Sequence, residues 1–249
     1  MKKENYTFCF VFAMGIEAHP FLKRVEVKRR WKIGHATYRE VFFEGSTILV
    51  VRSGIGFQKA LAAGKRIEGS PDYTLSVGTC GALTSDLCPG DIIIANETVS
   101  QNDPKLRYQC SEDLIKSLAM ACVKAGLRHK IGPIVTASEP VFEKSAREKL
   151  CQSANACAVD MESHAVALGA SSIGSSFGVL RVVSDGIESP PLPDRDIVKN
   201  WTKQVLRLPS NIAPLFRWWK FLRTFNASVN KLDKPLVELT RIGIGRPDS

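Results

Sequence analysis

The sequence predicts an α/β protein with a largely parallel sheet. Short apolar runs rich in β-branched residues alternate along the chain with segments whose apolar residues recur at helical spacing. One late run, residues 179–183, is followed by Ser184 and Asp185, as expected for a buried strand that delivers polar groups to its carboxyl end. A chain of 249 residues can bury one large core, and its hydrophobic fraction of 44% is that of a globular protein.

The individual elements follow from these patterns. Strands are predicted over residues 8–12, 37–43, 47–51, 73–77, 91–95, 131–136 and 179–183. Helices are predicted over residues 16–23, 58–67, 114–125 and 161–168. Glu44-Gly45-Ser46 indicates a hairpin turn between the second and third strands, and Gly126 indicates the end of the third helix. The stretch from Gly78 to Gly81 indicates a turn after the fourth strand.

The formal net charge of +9 is high for an enzyme that acts on small metabolites. Basic residues concentrate between Lys23 and Lys32 and again between Lys199 and Lys234. The chain has no helix-turn-helix, RRM or zinc-finger motif, so we expect no nucleic-acid partner. An anionic membrane surface is the better candidate for a charged partner. No apolar run reaches the roughly 18 residues that a membrane-spanning helix needs.

Cysteine usage and the N-terminus bear on the compartment. The seven cysteines form no C-x-x-C pair and only four histidines are present, so we expect reduced thiols and no metal site. Lys2 and Lys3 precede an apolar run as in a secretory signal, but Glu4 interrupts the charge and no clean cleavage site follows. A first core strand is therefore favoured. We predict a cytoplasmic protein, with a peripheral position on the inner membrane surface as the alternative.

Two runs place carboxylates beside apolar residues, where a solvated surface residue would not be expected. They are residues 158–164 (AVDMESH) and residues 180–185 (LRVVSD). Each run alone has a structural alternative. Asp185 could cap a helix, and Asp160 with Glu162 could form the charged start of one.

With three further motifs, the two runs resemble the nucleoside phosphorylase/nucleosidase superfamily, and within it the branch that hydrolyses 5′-modified adenine nucleosides. The motifs occur in the family's order as AMGIE (13–17), SGIG (53–56), GTCGA (78–82), VDME (159–162) and VSD (183–185). The resemblance implies a three-layer nucleoside phosphorylase-like fold, with a central mixed, largely parallel sheet flanked by helices. It also implies a homodimer, and we expect no cofactor.

The resemblance assigns chemical roles to two carboxylates. Asp185 is implied as the general acid that protonates the purine N7, with Ser184 as its orienting partner. Glu17 is implied to hold and deprotonate the attacking water, with Arg181 nearby. Cleavage of a ribose–adenine bond needs both functions, because the base leaves as a neutral species while the sugar develops positive charge.

The resemblance also implies which residues bind the nucleoside. Glu162 is expected to contact the ribose hydroxyls, Met161 to pack on the sugar and Thr79 to lie near the anomeric carbon. Other contacts to the substrate are expected from Val141 and Phe142.

The segment that should contact the base departs from the family pattern. In residues 135–142 (VTASEPVF), Pro140 stands where the family has an aromatic residue that stacks on the base, and Phe142 is displaced. We therefore expect the base to stack differently, which puts the family's standard substrates in doubt.

The sequence favours water over phosphate as the nucleophile. Phosphorolytic relatives bind their anion with arginines and a Gly-rich N-terminal loop. Here Glu17 supplies a carboxylate at that loop, which would repel phosphate and activate water, and residues 75–77 (LSV), directly before Gly78, contain no arginine. Arg52 remains a candidate anion contact, so phosphorolysis stays an alternative.

The C-terminal part resembles a narrower branch, the hopanoid-associated nucleosidases, which remove adenine from the lipid adenosylhopane. The resemblance rests on residues 158–164, on the Leu-Pro of residues 190–193 and on residues 209–232. Residues 215–225 (LFRWWKFLRTF) mix aromatic and basic side chains as an interfacial helix does, although a helix packed on the core or a dimer partner is an equal alternative.

We therefore predict a catalytic domain over residues 1–208. The basic aromatic helix and tail over residues 209–249 would be part of the same domain or a membrane-surface element. The leading function is release of adenine from a 5′-substituted nucleoside that resembles methylthioadenosine, S-adenosylhomocysteine or adenosylhopane. The alternatives are a phosphate-dependent purine nucleoside phosphorylase and a non-catalytic nucleoside-binding protein.

Overall fold

The computed structural model describes residues 6–188 and 222–244. Its strands are β1 Phe8–Phe12, β2 Glu26–Ile33, β3 Ala36–Phe43, β4 Ser46–Arg52, β5 Tyr73–Ala82, β6 Ile92–Ser100, β7 Arg107–Gln109, β8 His129–Thr136, β9 Ala158–Asp160 and β10 Ser176–Asp185. Its helices are α1 Gly15–Leu22, α2 Phe57–Gly64, α3 Glu112–Lys124, α4 Lys144–Ala154, α5 Ser163–Ser172 and α6 Asp233–Ile242. Residues 222–229 are also helical.

The strands form one mixed sheet in the order β10-β6-β8-β9-β5-β1-β4-β3-β2, with β7 paired to β6. A further pairing joins β10 to β5, so β5, β10, β6, β8 and β9 close into a ring. In the described part, five of the ten pairings are parallel, and they join the central strands. The prediction of an α/β fold with a mixed central sheet flanked by helices is confirmed, with a smaller share of parallel pairs than the sequence suggests.

The central strand β1 shows why the sheet is buried on both faces. Phe8, Phe10 and Phe12 point into one apolar cluster, whereas Cys9 and Val11 point into the other. This alternation follows from the two-residue period of a strand. Because both faces are covered, the run is apolar throughout, and periodicity alone does not separate it from a buried helix.

Two layers of helices cover the sheet. The alanine-rich faces of α2 and α5 pack on one side, and α1, α3 and α6 pack on the other. Leu236 and Leu239 of α6 are fully buried in the second cluster, and Asp233 forms an ion pair with Arg24 at 2.5 Å. The described C-terminal residues 222–244 thus contribute to the same core as the sheet.

Several expectations for the C-terminal part concern residues outside the described ranges. The Leu-Pro segment 190–193, the predicted domain boundary at residue 208 and most of the aromatic segment 215–225 lie there. Within the described ranges, no helix is long and apolar enough to cross a membrane.

Strand β2 was not expected from the sequence. Its residues 26–30 are all exposed, and it lies at the edge of the sheet, paired only with β3 among the described strands. Charged side chains on both faces hide the period of two that identifies a half-buried strand, and they also protect an edge from aggregation. The basic run between Lys23 and Lys32 is therefore largely this edge strand.

The predicted turn at Gly78 to Gly81 is wrong. Strand β5 continues through these residues to Ala82, because Gly78 pairs with β10 and Gly81 pairs with both β10 and β9. The short strands β7 and β9 and the helix α4 were also missed. Three-residue strands carry too little pattern to be read from sequence alone.

Helices α2 and α5 meet at two glycines. A Cβ atom built on Gly169 would lie 3.0 Å from the Cα of Gly64, and one built on Gly64 would lie 3.2 Å from the Cα of Gly169. Both neighbours are backbone atoms, which cannot rotate away. The two helices therefore approach as closely as they do only because both positions lack a side chain.

We predict that Gly169→Ala lowers the free energy of unfolding by about 1–3 kcal/mol, because the two helices must separate. This loss should exceed the gain of about 1 kcal/mol in helix propensity. Chemical denaturation measures the change. Ser171→Ala, on an exposed position of α5, is the control and should leave stability nearly unchanged. Equal stability of the two variants would show that the glycine contact is dispensable.

Candidate active site

Glu17 lies in the first turn of α1 and is buried against the end of β5. Its Oε1 accepts hydrogen bonds from the backbone N–H of Thr79 at 2.8 Å and from the Thr79 hydroxyl at 3.0 Å. Its Oε2 accepts the backbone N–H of Met14 at 3.0 Å, which satisfies a free donor at the start of the helix. Three donors therefore fix the carboxylate beside Thr79.

Gly78 allows two charged groups to meet beside β5. A Cβ at this position would lie 2.5 Å from Nη1 of Arg181 and 2.8 Å from Oε1 of Glu17. Both distances are shorter than any real Cβ contact. The glycine is therefore required for the close approach of these side chains, rather than for a turn.

Arg181, on β10, has an exposed fraction of 1%. Its guanidinium forms an ion pair with Asp160 at 2.7 Å and lies 3.8 Å from Oε2 of Glu162. It also donates to the hydroxyl groups of Ser76 at 2.8 Å and Ser163 at 3.0 Å. We refer to Glu17, Asp160, Glu162 and Arg181 as the Arg181 cluster.

Asp160 is the anchor of this cluster, a role that sequence reasoning missed. Its carboxylate accepts from Arg181, from the Thr136 hydroxyl at 2.7 Å and from the backbone N–H of Ser163 at 3.2 Å. The last contact lies at the start of α5, so the alternative interpretation of this motif as a charged helix start describes part of what Asp160 does. The sequence signal for its burial was its position between Val159 and Met161.

Glu162 connects the cluster to the SGIG segment. Its Oε1 accepts the backbone N–H of Gly56 at 2.8 Å. Gly56 has φ of 97° and Gly54 has φ of 89°, a left-handed region that favours glycine. The two glycines thus bend the chain so that a backbone N–H faces Glu162, which explains why this motif accompanies VDME.

Burial perturbs two carboxyl groups of the Arg181 cluster. It raises the pKa of Glu17, although Arg181 and the hydrogen bonds from Thr79 and Met14 oppose the shift. Burial also raises the pKa of Glu162 to about 7, with Arg181 opposing and Asp160 adding to the shift. A carboxyl group with a raised pKa is a suitable general base near neutral pH, because it binds a proton more strongly than a solvated one.

Asp185 is the last residue of β10 and follows Arg181 along the same strand. Its Oδ1 accepts the Ser184 hydroxyl at 2.5 Å, as the sequence predicts for an orienting partner. Its Oδ2 forms a very short ion pair with Nη2 of Arg147 from α4. We call Arg147 and Asp185 the acid pair. Gly81 makes room for it, since a Cβ there would lie 3.2 Å from Nη2 of Arg147.

Arg147 is a second residue that sequence reasoning missed. It is buried, and it donates to the backbone carbonyl of Val141 at 2.8 Å and to that of Gly186 at 3.0 Å. In the sequence it belongs to SAREKL, which is indistinguishable from a solvated helix face. The contact brings Val141, predicted to bind substrate, to the same side of the molecule as Asp185.

The remaining predicted residues lie next to these groups. Met161 stands between Asp160 and Glu162, and Phe142 follows Val141; both are half-buried. The described residues contain no group of three or more His, Cys, Asp or Glu side chains that could hold a metal ion. The arrangement places a buried carboxyl group with a raised pKa, Glu17 of α1, and a partly exposed carboxylate, Asp185 of β10, beside the same strand β5, which suits acid–base cleavage of a glycosidic bond.

The model of the phosphorylase superfamily matches residues 7–213 of the chain. The chain belongs to this superfamily. The family resemblance of the five motifs is thereby confirmed. The match covers every residue of the Arg181 cluster and of the acid pair, although it does not test the role of any of them.

The chain is similar to several nucleosidases of this superfamily. The 5′-methylthioadenosine/S-adenosylhomocysteine nucleosidase of Staphylococcus aureus is 26% identical over 171 residues, which cover 61% of this chain and 75% of the relative. Two solved structures share the fold. The Neisseria meningitidis 5′-methylthioadenosine/S-adenosylhomocysteine nucleosidase in complex with methylthio-immucillin-A has a TM-score of 0.76 at 21% identity, covering 95% of this chain and 99% of that chain. The futalosine hydrolase of Helicobacter pylori has a TM-score of 0.74 at 19% identity, covering 95% and 97%.

We predict a pH-dependent contribution of Glu162 to stability. Its folded-state pKa of about 7 lies above the ordinary value of 4.5, so the folded protein holds a proton that the unfolded chain releases between these values. The contribution is therefore present at low pH and is lost as pH rises through this window. Glu162→Gln removes the titration. The free energy of unfolding of the wild type relative to this variant should be larger at pH 5 than at pH 8, by roughly 1–3 kcal/mol.

Denaturant titrations at the two pH values measure this difference. Glu112→Gln is the matched control, because Glu112 is 86% exposed on α3 and should show little change between them. A difference for Glu162→Gln that is flat or of opposite sign would contradict the assigned effect of burial.

Proposed function

We propose that the protein is an N-glycosidase that hydrolyses a 5′-substituted adenine nucleoside and releases adenine. The observation that carries this proposal is the placement of two carboxylates, one from α1 and one from β10, in different environments beside the paired strands β5 and β10. Glu17 is buried among donors beside Arg181, and Asp185 is partly exposed beside Ser184. Acid–base cleavage needs two such groups with distinct proton affinities.

In the proposed reaction, Glu17 accepts a proton from a water molecule whose oxygen bonds to the anomeric carbon. Thr79 and Met14 hold the Glu17 carboxylate in place through their hydrogen bonds. The C1′–N9 bond breaks with its electron pair moving to the purine, and Asp185 gives its proton to N7. The base then leaves as neutral adenine.

The ribose and base contacts follow the same assignment. Glu162, whose carboxylate is fixed by the N–H of Gly56, accepts hydrogen bonds from the ribose hydroxyls. Met161 packs on the sugar, and Val141 and Phe142 contact the base. The Arg181 cluster supplies the negative field that stabilises positive charge developing on the sugar.

Water is the proposed nucleophile rather than phosphate. The side chain nearest the Thr79 N–H and hydroxyl is a carboxylate, which would repel an anion. Arg52, the candidate anion contact, donates to the Thr37 hydroxyl at 3.2 Å and forms no ion pair with a described residue. Phosphorolysis is the second candidate, and phosphate dependence distinguishes the two.

The similarity to 5′-methylthioadenosine/S-adenosylhomocysteine nucleosidases supports methylthioadenosine and S-adenosylhomocysteine as the first substrates to test. A lipid-tailed adenosine of the adenosylhopane type is the alternative, supported by the exposed basic strand β2, whose charge would attract an anionic surface. We also propose a cytoplasmic homodimer with peripheral membrane contact. Sedimentation velocity and vesicle flotation test these two points.

We predict adenine release from at least one of methylthioadenosine, S-adenosylhomocysteine and a lipid-tailed adenosine in phosphate-free buffer. Added phosphate should leave the rate unchanged, because water supplies the nucleophile. Chromatographic detection of adenine, together with the free sugar, measures the reaction. Appearance of a sugar 1-phosphate, or release only with phosphate, would move the protein to the phosphorylases.

We predict that Asp185→Asn lowers kcat for adenine release by about 10²–10⁴-fold, because the amide cannot protonate N7. The fold should persist, since the side chain keeps its shape, its amide oxygen can accept from Arg147 and its NH2 can donate to the Ser184 hydroxyl oxygen. Glu112→Gln, on the surface of α3, is the control and should retain full activity. Normal turnover by Asp185→Asn would remove Asp185 from the acid role.

A further inference from the structure

The acid pair contains a charged group that the proposed function does not use. Arg147 has an exposed fraction of 3%, and its Nη2 contacts Oδ2 of Asp185 directly. Its other nitrogens donate to the backbone carbonyls of Val141, Gly186 and Ala82, the last at 3.3 Å. These contacts hold the guanidinium in one place, so its charge acts on Asp185 from a fixed position.

Both oxygens of Asp185 accept hydrogen bonds in this arrangement. The Ser184 hydroxyl donates to Oδ1, and Arg147 donates to Oδ2. The Ser184 hydroxyl also lies 3.1 Å from the carbonyl oxygen of Cys80, so the charged partner of Asp185 in this arrangement is Arg147. The guanidinium remains charged throughout the working pH range of proteins, and an adjacent cation favours the ionised form.

We propose that Arg147 is a positioning residue for the acid step: it stabilises the negative charge that develops on Asp185 as the proton passes to purine N7. This inference rests on the proposed function. The same contact keeps Asp185 ionised in the ligand-free enzyme, so that the proton must be taken up from solvent before cleavage.

The step balances in atoms and electrons. A solvent proton binds Asp185, and it moves to N7 while the C1′–N9 bond breaks with its electron pair going to the purine. The water oxygen bonds to C1′, and the water proton goes to Glu17. Asp185 ends as a carboxylate facing Arg147, so the guanidinium contributes more to the transition state than to the protonated ground state.

Removing the charge should therefore have two opposite effects. The kcat should fall, because the developing carboxylate is no longer stabilised. The alkaline limb of the kcat/KM profile should move to higher pH, because Asp185 retains its proton more readily without an adjacent cation. A role limited to packing would scale the rate equally at every pH.

The experiment compares the wild type with Arg147→Met and Arg147→Lys in the adenine-release assay, from the lowest pH at which each protein stays folded up to pH 9. Arg147→Met removes the charge and keeps an unbranched apolar stem, whereas Arg147→Lys retains the charge. We expect Arg147→Met to lose about tenfold or more in kcat at the lowest pH and to shift the alkaline limb upward by about one pH unit. Arg147→Lys should keep the wild-type position of the limb. Parallel profiles for wild type and Arg147→Met would overturn the proposal.

Infrared spectroscopy tests the ionised resting state without altering Arg147. The ligand-free wild type at pH 7 should lack any protonated-carboxyl band that is absent from Asp185→Asn. The presence of such a band would overturn the proposal even if Arg147→Met did not fold.

The Asp185→Asn variant separates failure of this inference from failure of the proposed function. If it is inactive and the Arg147→Met profile is parallel to the wild type, only the role of Arg147 fails. If Asp185→Asn turns over normally, the acid assignment itself fails.

Discussion

In the parallel pair formed by β5 and β10, Arg181 stands beside Gly78 and Asp185 stands beside Gly81. This register places both charged groups on one strand and both side-chain-free positions on its neighbour. A Cβ at either glycine would collide with or crowd a guanidinium. The remaining elements of the site depend on this register, because α1 brings Glu17 to Gly78 and α4 brings Arg147 to Gly81. A shift by one residue would turn both charged groups to the wrong face.

The Arg181 cluster holds three buried carboxyl groups and one guanidinium. Removing one partner of a buried ion pair destabilises a protein by about 3–5 kcal/mol, because the other charge is left uncompensated. Asp160 makes the closest contact with Arg181. It also accepts hydrogen bonds from the Thr136 hydroxyl and from the backbone N–H and hydroxyl of Ser163, so it has the most donors of the three carboxylates. Glu17 and Glu162 interact with the same guanidinium, Glu162 at the longer distance of 3.8 Å. Burial raises the pKa values of both groups, and Arg181 only partly offsets the shift.

The sequence was sufficient for the parts of the molecule in which local pattern and structure agree. The buried strand β1 and the helix α3, which Ser111 caps and Gly126 follows, lie where periodicity and capping residues predict them. The structure places Glu17, Thr79, Glu162 and Arg181, all named by the family motifs, around one cluster, and their roles stay predictions. The exposed edge strand β2 and the buried Arg147 could not be found in this way. Each has the composition of a solvated surface, and only the tertiary structure determines whether such residues are covered.

The Gly78-to-Gly81 segment shows what physical information a motif can carry beyond local conformation. Read locally, two glycines three residues apart indicate a turn, yet both lie within a regular strand. Their function is to leave space for two charged pairs that arrive from elements distant in sequence. The spacing of the glycines matches the spacing of Arg181 and Asp185 on the paired strand, with a bulge between Val183 and Asp185 adjusting the register. The two motifs therefore constrain one another: a side chain at Gly78 would block Arg181, and one at Gly81 would crowd Arg147 and Asp185.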